Sequence, residues 1–137
     1  MKKQINCIYA IYYHIILTVK YRKKIIDAYD NDIKSIINQL ESESNFSVEK
    51  IESDKDHIHI LVSTRPDISP SHIIHKIKQK TSYELWKKYP NQLQKEFWKK
   101  HIFWNRSYFV ASIGSVSKEA IEKYIENQRN SSVTLKR

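Results

Sequence analysis

The fold class follows from residues 57–64, which read His57-Ile58-His59-Ile60-Leu61-Val62-Ser63-Thr64. This composition and the turn signals around it are typical of a β-strand. In a strand, residues two apart point to the same face and lie about 6.6–6.8 Å apart along the chain. His57 and His59 therefore share one face, which we expect to be exposed. Ile58, Ile60 and Val62 share the other face and fix the strand in a sheet.

This strand has a predicted partner just upstream. Residues 46–51 favour a second strand, and the polar residues 53–56 connect the two as a hairpin. Two imidazoles on one strand face can bind one metal ion, whereas the alternative is a pair of surface histidines on the solvent face of a hairpin. Asp54 and Asp56 could orient a ligand or simply form the turn.

The segments around the hairpin predict helices. Ser69-Pro70 is a helix-start signal, because serine can cap free amides and proline suits the first helical position. Pro90 should end that helix near Tyr89. The predicted elements in chain order are strand 8–19, helix 27–43, strand 46–51, strand 57–64, helix 70–89, strand 103–113 and helix 117–129. The order indicates an α+β domain with a ferredoxin-like or RRM-like antiparallel sheet, helices packed on it, and an added C-terminal helix.

Two segments of this domain are predicted to be irregular. Residues 91–100 form a connector, and the last predicted strand should be broken near Asn105-Arg106. The connector is expected to be anchored by three apolar side chains, those of Leu93, Phe97 and Trp98. Residues 130–137 are predicted to be a loose tail of the single domain 1–137.

The composition favours a polyanionic partner. Lys and Arg number 24 against 15 Asp and Glu, so the net charge is +9, which suits nucleic acid or an anionic membrane surface better than general solubility alone. No apolar stretch is long enough to span a bilayer, and the N-terminus lacks the features of a signal peptide. Cys7 is the only cysteine, so no internal disulfide can form, and a reducing cytoplasm is the expected location.

A second chemical signal lies in the last predicted helix. Tyr124 and Gln128 are four residues apart and therefore project from one helix face. A tyrosine hydroxyl is a poor nucleophile at neutral pH, since its pKa is near 10, but a nearby metal ion can polarise a phosphate that it attacks. The alternative is an ordinary tyrosine at an interface, because the chain has nine tyrosines.

Together these signals resemble the single-tyrosine HUH transposases, the TnpA-type enzymes of bacterial and archaeal insertion sequences. His57-Ile58-His59 is similar to their HUH motif of histidine, bulky hydrophobe and histidine, and residues 124–128 resemble their nucleophile helix. Three further blocks agree in order and spacing, so the resemblance extends from about Tyr12 to Gln128. These blocks are Tyr13-His14 with the basic run 19–24, Ser69-Pro70-Ser71, and the strand 107–114.

The resemblance implies the roles of individual residues. Tyr124 would be the nucleophile that cuts single-stranded DNA through a 5′-phosphotyrosine intermediate, and Mg²⁺ or Mn²⁺ would be held by His57, His59 and Gln128. The substrate would carry a hairpin, and a homodimer would share its active sites between subunits. Residues expected to contact DNA, from the resemblance and the clustering of charge, are Lys20, Arg22, Lys23, Lys76, Lys80 and Arg106. The chain departs from the family at Asn105-Arg106, where relatives often carry Ser-Pro.

Three other functions remain open on the sequence alone. A non-catalytic nucleic-acid-binding module of RRM-like fold would explain the charge, but it would leave the paired histidines unexplained. A hydrolytic metal nuclease would use water in place of Tyr124. A domesticated relative acting on palindromic repeats would share the chemistry without the mobility.

Overall fold

The computed structural model describes residues 11–113 and Glu126. The predicted C-terminal helix, with Tyr124 and Gln128, lies outside the described residues except for Glu126, and so do the tail 130–137 and the first three residues of the predicted strand 8–19. The described elements are β1 (Ile11–Val19), a 3-10 turn (Lys20–Arg22), α1 (Ile26–Ser42), β2 (Phe46–Ser53), β3 (His57–Thr64), α2 (Pro70–Lys88), α3 (Pro90–Phe97) and β4 (Trp104–Ser112).

The four strands form one antiparallel sheet in the order β2-β3-β1-β4. With one helix between β1 and β2 and two between β3 and β4, this is the ferredoxin-like arrangement, so the predicted fold class is confirmed. The central strands are β3 and β1, which pair along their whole length, from Ile11 opposite Thr64 to Thr18 opposite His57. Residues near the middle of β3 therefore lie at the centre of the sheet.

One face of the sheet carries the main hydrophobic core. Alternate residues of β1 and β3 point into it, and α1 and α2 cover it with their apolar sides. The strand residues of this core include Ile15, Leu17, Val19, Ile58, Ile60 and Val62. The intervening residues of β1 and β3, among them the predicted ligands His57 and His59, point to the opposite face.

Helix α2 begins as the sequence predicts. The Ser69 hydroxyl accepts a hydrogen bond from the backbone N–H of His72 at 3.2 Å, and Pro70 occupies the first turn. Farther along, Thr81 is completely buried and joins α2 to β4, because its hydroxyl accepts the indole N–H of Trp104 at 2.7 Å. None of the helices within residues 11–113 is both long and apolar enough to span a membrane.

The connector predicted at residues 91–100 is wrong in part, because it contains the helix α3. Pro90 ends α2 and also begins α3, since proline is favourable in the first turn of a helix. Leu93 and Phe97 are buried as predicted, but Trp98 is not an anchor, since 65% of its surface is exposed. Its backbone has φ 57° and ψ −131°, a conformation that is unusual for a residue with a side chain.

Strand β4 is continuous where a break was predicted near Asn105-Arg106. The irregularity is a bulge. Leu17 pairs with Tyr108 and Val19 with Trp104, so a step of two residues in β1 corresponds to a step of four in β4. The Lys78 ammonium donates hydrogen bonds to the carbonyls of Asn105 at 2.7 Å and of Arg106 at 3.2 Å. Helix α2 thereby satisfies backbone groups at the bulge.

Candidate active site

Two of the three predicted metal ligands, His57 and His59, are held side by side on β3. His59 lies opposite Ile16 of β1 and His57 opposite Thr18, so both imidazoles leave the sheet on the face away from α1 and α2. Their ring centroids are 5.1 Å apart, with the planes inclined at 64°. The expectation of an exposed strand face is wrong, because His57 is 5% exposed and His59 is completely buried. The alternative interpretation, a pair of surface histidines on the solvent face of a hairpin, is therefore excluded.

The His57 ring is fixed by the preceding residue. Its Nδ1 lies 2.8 Å from a carboxylate oxygen of Asp56, whose other oxygen accepts a hydrogen bond from Arg22 Nε at 2.9 Å. Burial tends to raise the pKa of Asp56, but the hydrogen bonds from His57 and Arg22 outweigh it and lower the pKa below its usual value. An ionised carboxylate can only accept, so His57 carries a proton on Nδ1.

This tautomer leaves Nε2 of His57 as an acceptor in its neutral state. The atom is buried and has no hydrogen-bond partner among the described residues, and the Asp54 carboxylate lies 3.8 Å away. A buried polar atom of this kind requires an explanation, and a bound ion is one of the usual ones. A histidine that gives one ring N–H to a carboxylate is also the common arrangement of a metal ligand. The donor chemistry of His57 therefore fits a metal ion.

His59 also has a partner at Nδ1, which the sequence did not single out. His14 of β1 places Nε2 at 3.1 Å from this atom, and the two rings stack with centroids 5.3 Å apart. The rings of Phe109 and His14 meet edge to face, with centroids 6.0 Å apart. Burial lowers the pKa of His14 to about 4, so this imidazole is neutral near pH 7. The even-numbered positions of β1 face the same side as His57 and His59, and this periodicity is the signal that could have identified His14.

The described residues supply only part of a metal centre. No group of three His, Cys, Asp or Glu side chains in residues 11–113 and 126 is arranged to hold an ion. His57 and His59 can supply two nitrogen ligands, so a further protein ligand would have to come from elsewhere. The predicted ligand Gln128 and the predicted nucleophile Tyr124 lie outside the described residues.

Three of the predicted DNA contacts lie beside this pair of histidines, in the turn after β1. Arg22 is bound to Asp56, and Lys23 forms an ion pair with Glu96 at 3.2 Å. The Lys20 ammonium lies 5.4 Å from the centre of the exposed Tyr21 ring. The turn is therefore cationic and aromatic. Arg22 joins it to the candidate centre, because it binds Asp56, which in turn holds His57.

The other predicted contacts lie on α2 and β4. Lys76 and Lys80 are on α2, which packs on the opposite face of the sheet. Arg106 is exposed at the bulge of β4. The pKa of Lys78 is lowered, first by burial and then by the positive charges of Arg106 and Lys20. Lys78 therefore adds a third cation near the bulge of β4, where its ammonium binds two backbone carbonyls.

Comparison with known proteins identifies the family. The family model for IS200-like transposases matches residues 7–128, nearly the whole chain. The chain belongs to the IS200-like transposase family. It is therefore a DNA transposase of the insertion-sequence type. The matched region includes the buried pair His57 and His59 and also Tyr124 and Gln128.

Individual transposases agree with this assignment. The chain is 29% identical over 131 residues to the ISDra2 transposase TnpA of Deinococcus radiodurans, covering 95% of this chain and 92% of the relative. It is 29% identical over 117 residues to the transposase for insertion sequence element IS200 of Salmonella typhimurium, covering 85% and 75%.

Solved structures show the same fold. A transposase from Deinococcus radiodurans superposes with a TM-score of 0.71 at 26% identity, covering 93% of this chain and 98% of that chain. A REP-associated tyrosine transposase bound to a REP hairpin superposes with a TM-score of 0.60 at 12% identity, covering 95% and 74%. The second likeness bears on the fold alone.

Proposed function

We propose that this transposase cleaves and rejoins single-stranded DNA in a metal-dependent reaction, with Tyr124 as the nucleophile. The observation that carries the proposal is the buried pair His57 and His59, each with Nδ1 held by a second side chain. Histidines buried in this way cost free energy unless their nitrogens are used. A nucleic-acid-binding module with no catalytic centre has no use for them.

In this proposal His57 and His59 bind Mg²⁺ or Mn²⁺ through Nε2, and Gln128 adds its amide oxygen. When bound, the ion polarises the scissile phosphate and stabilises charge on the leaving oxygen. Two imidazoles suit Mn²⁺ at least as well as Mg²⁺. Asp56 accepts from Nδ1 of His57, and in the proposed centre His14 would do the same for His59, so that the Nε2 lone pairs of both ligands would be available to the ion.

The proposed reaction exchanges one ester for another. The phenolic oxygen of Tyr124 attacks phosphorus, loses its proton, and forms the bond of a 5′-phosphotyrosine. The bond from phosphorus to the 3′-oxygen breaks, and the released strand end takes up a proton as a 3′-hydroxyl. Attack by a 3′-hydroxyl reverses these steps and rejoins DNA. The phosphotyrosine keeps the bond energy, so the exchange needs no nucleotide hydrolysis.

We further propose that the substrate carries a hairpin and that two copies of the chain share their active sites. The net charge of +9 and the mutual effect of the cations Lys20, Lys78 and Arg106 favour a DNA ligand. A transposase of the same fold is bound to a REP hairpin, and we propose a hairpin ligand for this chain as well. Sharing would place Tyr124 and Gln128 of one subunit at the histidines of the other.

The decisive test is a covalent adduct. Single-stranded DNA with the hairpin from the ends of the element that encodes this chain, incubated with Mn²⁺, should give a protein–DNA adduct that survives denaturation. Tyr124→Phe should abolish the adduct but bind DNA normally, and Tyr108→Phe, at an exposed tyrosine of β4, should retain it. Cleavage without an adduct would favour a hydrolytic nuclease. Cleavage in excess chelator would refute the proposed metal dependence of the reaction.

Mixing two inactive variants tests the shared site. Tyr124→Phe and the double variant His57→Ala/His59→Ala should each be inactive, but a mixed dimer with shared sites has one site that carries neither change. Cleavage should therefore return when subunits exchange. Continued inactivity after verified exchange would place the whole site within one chain.

A further inference from the structure

Trp98 is the most exposed large hydrophobic side chain among the described residues, at 65%. It directly follows α3, and its backbone adopts φ 57° and ψ −131°, where a residue with a Cβ atom is strained. The indole gains little burial in return for this strain. Strained residues that persist in folded proteins cluster at ligand sites, so the position of Trp98 suggests a binding role.

The surface around Trp98 is suited to an anion with a flat aromatic part. A groove of about 780 Å³ is lined by described residues that are aromatic, amide-bearing or cationic, with no carboxylate among them. They are Trp98, Asn91, Gln94, Lys95, Lys99 and Lys100. Single-stranded nucleic acid offers phosphates to lysines and unpaired bases to an aromatic ring, which is the usual pattern of sequence-tolerant binding.

The groove is connected to the candidate active site through the turn after β1. The Tyr21 ring stacks on Phe97, the residue before Trp98, with centroids 6.4 Å apart. Lys23 of the same turn pairs with Glu96 of α3. On its other side the turn binds Asp56 through Arg22, and Asp56 holds His57. The turn therefore contacts Asp56 on one side and the end of α3, next to Trp98, on the other.

We propose that Trp98 stacks on a base of single-stranded DNA that flanks the cleavage site, while Lys95, Lys99 and Lys100 bind its phosphates. The inference rests on the proposed function for its single-stranded substrate. It adds a binding site outside the histidine pair, on the surface formed by α3 and the residues after it.

Trp98→Gly tests the site, because glycine removes the indole and also adopts a positive φ without strain. Anisotropy titrations would use one labelled hairpin with a single-stranded flank and the same hairpin without it. We expect affinity for the flanked hairpin to fall about 5- to 150-fold, the range that loss of a base-stacking aromatic produces. Affinity for the blunt hairpin should not change, and Trp98→Phe should retain most of the binding.

Tyr83→Ala is the matched control. Tyr83 is 60% exposed on α2 and also lies near a lysine, with Lys87 Nζ 5.9 Å from its ring centre, but it is away from this groove. It should bind both DNAs as the wild type does. Urea unfolding should show Trp98→Gly to be at least as stable as the wild type, because the strain is relieved.

Three results would overturn the inference. They are unchanged affinity of Trp98→Gly for the flanked hairpin, an equal loss for the blunt hairpin, and a loss of stability that would make the indole structural. A wild-type protein that bound neither DNA would refute the proposed single-stranded substrate itself. If instead the wild type and Trp98→Gly both preferred the flanked hairpin to the same degree, the single-stranded substrate would stand and only the role of Trp98 would be refuted.

Discussion

The buried imidazole of His14 should make the stability of the fold fall as the pH falls. Burial lowers the pKa of His14 to about 4 from 6.5. Between these values the unfolded chain takes up a proton that the folded chain does not, so the free energy of unfolding decreases. The stabilisation is fully present above pH 6.5 and is lost as the pH falls towards the folded-state pKa.

The magnitude follows from the size of the shift. A difference of about 2.5 pH units, at about 1.4 kcal/mol for each unit, gives about 3 kcal/mol. The side chain of His14 is completely buried, so solvent screening does not reduce this figure greatly. The pKa values of Asp32 and Asp56 are lowered from 3.8, and their contributions are lost below the window in which His14 acts.

His14→Gln removes the titration and keeps a polar end near the position of Nε2, where the side-chain oxygen can accept from His59. Urea unfolding at several pH values between 6.5 and 4 should show the wild type losing about 3 kcal/mol more than this variant. His72→Gln, at an exposed histidine of α2, is the control and should follow the wild type. Equal pH dependence in His14→Gln and the wild type would refute a neutral, buried His14.

Three further substitutions test contacts around the site and the core. Asp56→Asn should lower Mn²⁺ affinity about 10- to 100-fold, as measured by electron paramagnetic resonance, because the acceptor that orients His57 is weakened; unchanged affinity would remove Asp56 from the proposed centre. Arg22→Lys keeps the charge but loses the Nε–H donor, so Mn²⁺ affinity should fall while the salt dependence of DNA binding stays the same; a change in the salt slope alone would contradict this. Thr81→Val leaves the buried Trp104 N–H without its acceptor and should cost about 1–3 kcal/mol in urea unfolding; a neutral effect would show that another acceptor replaces it.

The elements with a clear period could be predicted closely from the sequence. Strand β3 has the predicted bounds, and α1 and α2 begin and end within one residue of theirs. Their apolar spacing and their caps are local properties of the chain. The sequence does not predict helix α3, because Pro90 is a stop signal for α2 and equally a favourable first residue for the next helix.

The candidate site was predictable only in part. The spacing of His57 and His59 indicates a shared face, but their burial depends on which parts of the chain cover that face. Their partners are also distant in sequence, since His14 lies 45 residues before His59 and Arg22 lies 34 residues before Asp56. No local pattern reports such contacts. The roles given to Tyr124 and Gln128 stay predictions.

Arg22 connects two features that the sequence treated as separate. It was predicted as a DNA contact, yet its Nε–H donates to Asp56, which in turn fixes the tautomer of His57. A guanidinium has five N–H donors, and the Arg22 side chain is 63% exposed, so this bond leaves other donors facing solvent. In the proposed function, a phosphate bound there would compete with Asp56 for the same positive charge. DNA binding and the orientation of His57 would then be coupled through one side chain, which a lysine at this position could not reproduce.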